Sequence, residues 1–265
     1  MSLALSYFDL QSLVGIHAGF GSNPDNDTAP WDAEKLYAVD AAINDGYRMF
    51  LFPTPVIQGQ SHSWSFLRPV FSMSTVSGIE VYQLPEDFGH SAGDITIVST
   101  STAYDPIAIV GDGYMRGNRT GNPTASGVPT TASTRCLTGG GGPQRWEIEF
   151  YPSPDAVYAL EFPYTVGNPQ KLSKTNPYPY GGAMHADTLK AACLAAWERS
   201  FDDEQGVQMA DFQRRLAASM AVDARSRGDF LGRYRDESGP TSRTGTGRAR
   251  HGGTFTVTVG GVEYD

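Results

Sequence analysis

Residues 185–228 read "HADTLKAACLAAWERSFDDEQGVQMADFQRRLAASMAVDARSRG", and this stretch decides the fold class. Leu189, Cys193, Trp197 and Phe201 recur every four residues and so share one helix face. Met209, Phe212, Leu216 and Met220 form a second stripe, and the acidic "DDEQ" with Gly206 separates the two helices. Apolar stripes have to be buried against other elements, and a second helix pair near the start of the chain offers a match. There Ser6 and Asp9 carry the spacing of a capping box ahead of Leu10, Leu13 and Val14, with Gly15 and Gly19 limiting the helix. After the turn-rich "GFGSNPDNDTAP" (19–30), Asp27 or Thr28 can cap the next helix with Pro30 in its first turn. Leu36, Val39, Ile43, Tyr47 and Phe50 line one face of it.

Between the helix pairs the period changes. Short apolar or alternating runs separated by turn residues give six candidate strands: "WSFLRPVF" (64–71), "GIEVYQLP" (78–85), "DITIVST" (94–100), "PIAIVGD" (106–112), "RWEIEFYP" (145–152) and "AVYALEFPY" (156–164). The last two read as an antiparallel hairpin turning at "PSPD", and Pro69 marks an edge strand or a bulge. "RGNRTGNPTASGVPTTASTR" (116–135) and "GGGG" (139–142) read as an exposed loop, since neither can hold a packed core. The expected fold class is α+β. Helix pairs over 1–55 and 166–230 form a four-helix bundle, an antiparallel β module over 56–165 is inserted between them, and an extended arm covers 231–265.

At 265 residues the chain can bury a real core. Its net charge of -9 argues against a protein that grips nucleic acid, because phosphate binding needs clustered cations. Two cysteines, Cys136 in a loop-like stretch and Cys193 in a helical one, suggest reduced thiols and no disulfide framework. The opening "MSLALSYFDLQSLVG" has no basic region followed by an unbroken apolar run, so neither a secretion signal nor a membrane segment is expected.

No arrangement for chemistry emerges. His17, His62, His90, His185 and His251 are scattered without metal-ligand spacing, and they read as surface or loop residues. Asp187 follows His185 by two residues and is better explained as a helix N-terminal charge. "GDGYMRG" (111–117) lacks the spacing of a phosphate loop and reads as a turn. Tyr178, Tyr180, Trp197 and Phe201 could form a stacking platform for a sugar or base, although Trp197 and Phe201 at helical spacing read first as core. The expectation is no enzymatic activity, no cofactor and no metal.

The late region is different again. Arginines at 225, 227, 233, 235, 243, 248 and 250 outnumber Asp229, Asp236 and Glu237, in a setting of Gly, Ser, Thr and Pro that reads as a linker. It leads to Thr254, Phe255, Thr256, Val257, Thr258 and Val259, which alternate as a half-buried strand does, with Phe255, Val257 and Val259 on one face. A strand on a tether has no partner in its own domain, so another chain is the expected one. Extended, the tether from Gly228 to Gly253 reaches on the order of 80 Å at roughly 3.3 Å per residue. Arg243, Arg248 and Arg250 either are simply solvated or steer the strand to an acidic surface on a partner.

The order of elements resembles the head-to-tail adaptor, or connector, proteins of tailed bacteriophages, most closely the short-tailed type. The likeness is carried by "WDAEKLYAVDAAINDGYRMFLFP", by "RWEIEFYPSPDAVYALEFPYTVGNP" and by the helical stretch quoted first. It implies a non-enzymatic virion protein of the neck, assembled in the host cytoplasm as a ring of about twelve copies. Implied partners are other copies of the chain, the portal protein, a tail or nozzle protein, and genomic DNA passing through the lumen without specific binding. The implied role of residues 243–259 is docking on the portal or on a neighbouring subunit. A tail-completion or tail-tube ring protein and a host-glycan binding module are the rival readings.

Overall fold

The structure is a computed structural model that describes residues 3–22, 31–54, 62–137, 144–201, 206–226, 257–259 and 262–264. In chain order the elements are α1 (Tyr7–His17), α2 (Ala33–Leu51), β1 (Val70–Ser74), β2 (Val81–Gln83), β3 (Phe88–Ser91), β4 (Thr96–Val98) and β5 (Ala108–Ile109). Then come α3 (Asp112–Gly121), β6 (Ser126–Gly127), β7 (Thr131–Leu137), β8 (Arg145–Tyr151), β9 (Ser153–Pro154) and β10 (Ala159–Val166). Next are α4 (Ala186–Phe201), α5 (Val207–Ser226), β11 (Val257–Val259) and β12 (Val262–Tyr264). The class is α+β. The chain divides into two units, Met1–Arg227 and Gly228–Asp265.

Local chemistry explains the helices. Ser6 caps α1 through its side chain to the Asp9 N–H while the Asp9 carboxylate accepts from the Ser6 N–H, the reciprocal capping box. Gly15 lies inside α1, and Gly19, at φ +76°, follows its end. The N-cap of α2 is Asp32, which accepts from the Lys35 N–H at 2.8 Å. This corrects the cap expected at Asp27 or Thr28, which lie with Pro30 outside the described residues. Val39, Ile43, Tyr47 and Phe50 are buried as their spacing requires. In α4, Leu189, Cys193 and Trp197 are buried but Phe201 is 53% exposed, so the stripe ends one turn earlier than its periodicity suggests.

Helix α4 is the shared element of the helical layer, since α1, α2 and α5 all pack against it. Its Ala191, Ala192, Ala195 and Ala196 are almost without exposure, and such small side chains let neighbouring backbones approach. The closest approach is at Gly46 of α2, where an added Cβ would stand 2.5 Å from the Cys193 Cα and 2.6 Å from its N. Gly46→Ala is therefore expected to destabilise. Better helix propensity returns about 1 kcal/mol. A clash with backbone cannot be relieved by a rotamer change and costs about 1–3 kcal/mol or more. Denaturant unfolding should show a net loss; an unchanged or raised midpoint would mean that the two helices are not in contact there.

The β region forms two four-stranded sheets and a short parallel pair, β6 with β9. In the first, β10 is central and antiparallel to β1 along one edge and to β4 and β3 along the other. Its burial alternates, with Leu160, Phe162, Tyr164 and Val166 inward. The second has the order β2-β8-β7-β5, with only β5 and β7 parallel. Five of the six sequence-expected segments hold a strand or most of one, whereas 64–71 holds a 3-10 turn over Ser65–Leu67 and only the start of β1; Pro69 precedes β1, which among the described residues pairs with β10 alone, as an edge strand. The expected β8–β10 hairpin is not formed, because the two strands belong to different sheets. Ile148, Glu149 and Phe150 are consecutive and all buried, so β8 is covered on both faces and needs β2 and β7 as neighbours. Residues 116–135 also differ from the expected loop: they complete α3 and contain β6 and most of β7. Cys136 lies in β7 and is exposed, not in a loop.

Candidate interaction site

Of the proposed docking residues, Val257, Thr258 and Val259 form β11, while Arg243, Arg248, Arg250, Thr254, Phe255 and Thr256 lie outside the described residues. The strand is not alone. It pairs antiparallel with β12 in the register Val257↔Tyr264, Thr258↔Glu263, Val259↔Val262. The expectation of a lone strand is corrected to a hairpin, and "VTVGGVEY" held the sign: two β-prone runs joined by Gly-Gly, the preferred two-residue hairpin connection.

The residues examined for chemistry take structural places. "GDGYMRG" is not a turn but the start of α3, whose single buried residue, Met115, packs inward and whose Asp112 pairs with Arg116 at 2.9 Å. Arg119 of α3 reaches Glu80 at 2.5 Å and Glu149 at 2.6 Å, and Arg135 of β7 reaches Glu149 at 2.9 Å and also bonds Glu147. The buried Glu149 thus meets two guanidinium groups: Arg119 ties α3 to the sheet, and Arg135 reaches it from the neighbouring strand β7. Asp187 lies in the first turn of α4, as its helix-dipole reading requires. The four aromatics of the platform reading occupy two places. Trp197 stacks on Phe201 at 4.1 Å and meets Phe20 edge-on, while Tyr178 and Tyr180 line a cleft of about 480 Å³ with Glu86, Asp87, Gln170 and Asn176. Among the described residues no group of His, Cys, Asp and Glu could hold a metal ion, and no helix is long and apolar enough to cross a membrane.

His185, read as a surface or loop residue, is buried instead, and His62 is half-buried in an irregular stretch. His62 donates from Nε2 to the Asp223 carboxylate of α5 at 3.0 Å, and Asp223 also accepts from the Ser65 hydroxyl at 2.5 Å and the Ser65 N–H at 3.0 Å. The carboxylate stands between serine and histidine, so the imidazole is not placed to take the serine proton; the group is a clasp between α5 and the segment after α2. His185 packs against Phe50, Trp64 and Phe66. Burial holds its imidazole below the ordinary value of 6.5, with Asp223 pulling the other way and His62 adding to the depression. A depressed folded value means that the unfolded chain takes up the proton first as pH falls. His185 therefore contributes stability above about pH 6.5 that is lost on acidification through its folded value. His185→Phe should flatten the decline of stability between pH 7 and pH 5; an unchanged slope would place the titration elsewhere.

What remains exposed is a surface for contact. Val76, Ile79, Val98 and Val157 are each at least 46% exposed at one end of the first sheet. Thr75 N–H to Tyr158 carbonyl and Gly78 N–H to Pro154 carbonyl join the two chain segments there, at 2.9 and 2.8 Å. Residues 7–241 match the family described as SU10 adaptor protein. The chain belongs to the SU10 adaptor protein family. This SU10 adaptor is accordingly a bacteriophage head–tail adaptor and a structural protein of the virion, as the element order resembled. Curated proteins add no match. The match of the SU10 adaptor to its family ends at residue 241, before the β11–β12 hairpin.

Proposed function

We propose that the adaptor assembles as a ring of about twelve copies between portal and tail, in a neck of the short-tailed type, and lines a channel through which the genome passes. The family match over residues 7–241 carries this reading. The packing of α1, α2 and α5 on α4 supports a four-helix bundle as the rigid body of each copy, with the β sheets inserted between the helix pairs. A net charge of -9 suits a wall that lets DNA slide, since few cations are free to release its counterions. The protein is proposed to be non-enzymatic and to work without cofactor. The clasp of Ser65, Asp223 and His62 supports this, because its order does not generate a nucleophile.

The arm carries the attachment. The hairpin over 257–264 is joined to the body by a segment rich in arginine, which steers it to an acidic surface, and it docks on a sheet edge of the portal or of a neighbouring adaptor. Val257→Pro removes a donor and a paired position from β11 and should lower retention on portal rings at least tenfold while leaving the melting of the body unchanged. A pull-down comparing it with the unsubstituted chain decides the matter. Equal retention of both would remove the hairpin as the anchor, and no retention of either would remove the portal as partner.

A further inference from the structure

Among the described residues the β1 edge of the first sheet is open. Its phase follows from two bonds that flank β1: the Tyr164 N–H donates to the Pro69 carbonyl at 3.1 Å, and the Thr75 N–H donates to the Tyr158 carbonyl at 2.9 Å. With the register running from Val70↔Pro163 to Ser74↔Ala159, residues 69, 71, 73 and 75 turn their backbone groups toward β10. Val70, Ser72 and Ser74 turn theirs away. Those outward groups have no partner among the described residues, and all three side chains are exposed. Natural sheets blunt such an edge with charge, a bulge or a cover. This one reads VFSMS, with no charged residue and a regular register. Next to its end stand Val76 and, across the sheet, Val98 and Val157.

The hairpin has the complementary lack. Three paired residues on each of two strands are too few to hold a ribbon in water without a further strand or a packing face. We infer that the β11–β12 hairpin of a second copy adds to the β1 edge and extends the first sheet. This rests on the arm-docking reading above and names its receiver. The VTV strand brings no charge to the edge, so pairing buries backbone groups against their own kind and leaves no ion desolvated. Residues 228–256 reach on the order of 90 Å at roughly 3.3 Å per residue, enough to cross to an adjacent copy. Each copy then gives one hairpin and receives one, a head-to-tail contact that closes when the copies form a ring.

The test puts the two halves of the contact on different copies. In a Cys136→Ser background, one preparation carries Ser72→Cys and the other Thr258→Cys. The two are mixed at the highest concentration at which they stay soluble and treated with a short bis-maleimide. The expected result is a mixed adduct whose crosslinked peptides span positions 72 and 258. A Ser74→Cys probe should give the same adduct, reduced at least fivefold when Ser72→Pro removes an outward N–H, spares every backbone bond to β10 and costs only the exposed Ser72 hydroxyl bond to Glu161. Absence of the mixed adduct overturns the inference, and so does a chain with both Ser72→Cys and Thr258→Cys that crosslinks only within itself. Retention of the unsubstituted protein on portal rings is measured alongside. Retention without adduct rejects the β1 receiver alone, whereas adduct without retention supports the receiver and rejects the portal attachment.

Discussion

Replacing Trp64 with Ala is expected to cost the body about 3–5 kcal/mol, the range for a large aromatic removed from a closed core. Trp64 has no exposed surface, and its ring sits 4.9 Å from Phe50, 5.1 Å from Phe66, 4.6 Å from His62 and 5.2 Å from His185. Its indole N–H donates to the Phe50 carbonyl at 3.0 Å at the end of α2. One side chain therefore ties the helical layer to the segment that leads into the first sheet, and its loss leaves both a cavity and an unpaired carbonyl. At about 2–4 °C per kcal/mol for a domain of this size, the melting temperature should fall by roughly 10 °C. A fall of a degree or two would mean that the cluster collapses around the space and that the junction is held elsewhere.

The second large effect is expected from Arg119→Met combined with Arg135→Met, a loss of about 3 kcal/mol. The Glu149 side chain is 4% exposed, and the two arginines are its ionic partners. Removing both leaves a carboxylate in the interior with nothing to offset its desolvation. The reverse change is mild. Glu149→Leu leaves Arg119 with Glu80 and Arg135 with Glu147, on side chains that are 31% and 40% exposed, so it should cost less than about 1.5 kcal/mol. Adding Glu149→Leu to the double arginine variant should restore most of the loss. Urea unfolding of the set measures this, and a double variant within about 0.5 kcal/mol of the parent would show that α3 is not held by this network.

These two sites also show where the sequence is readable and where it is not. The four long helices are legible because their buried residues repeat at three and four, as in Val39, Ile43, Tyr47 and Phe50. Strand β10 is legible because one face is buried and the other is not. Helix α3 reads as a turn because DGYMRGNRTG has Met115 as its one buried residue, and charge pairs to Glu80, just before β2, and to Glu149 of β8 hold it in place. Strand β7 is hidden for a related reason: Ala132 and Ser133 are buried but too small to mark a period. The His62–Asp223 clasp spans 161 residues of sequence, and no local pattern announces a contact of that separation. The hairpin was legible in Gly260-Gly261, but an alternation read over 254–259 alone ends before the partner strand begins.

Imaging the purified chain mixed with portal rings of its own phage, by electron microscopy with averaging, tests the central claim most directly. The account predicts an added ring beneath each portal, coaxial with it, with a protein-lined channel and one adaptor for each copy of the contact. Portal rings that remain bare, with the adaptor still monomeric beside them, would contradict it.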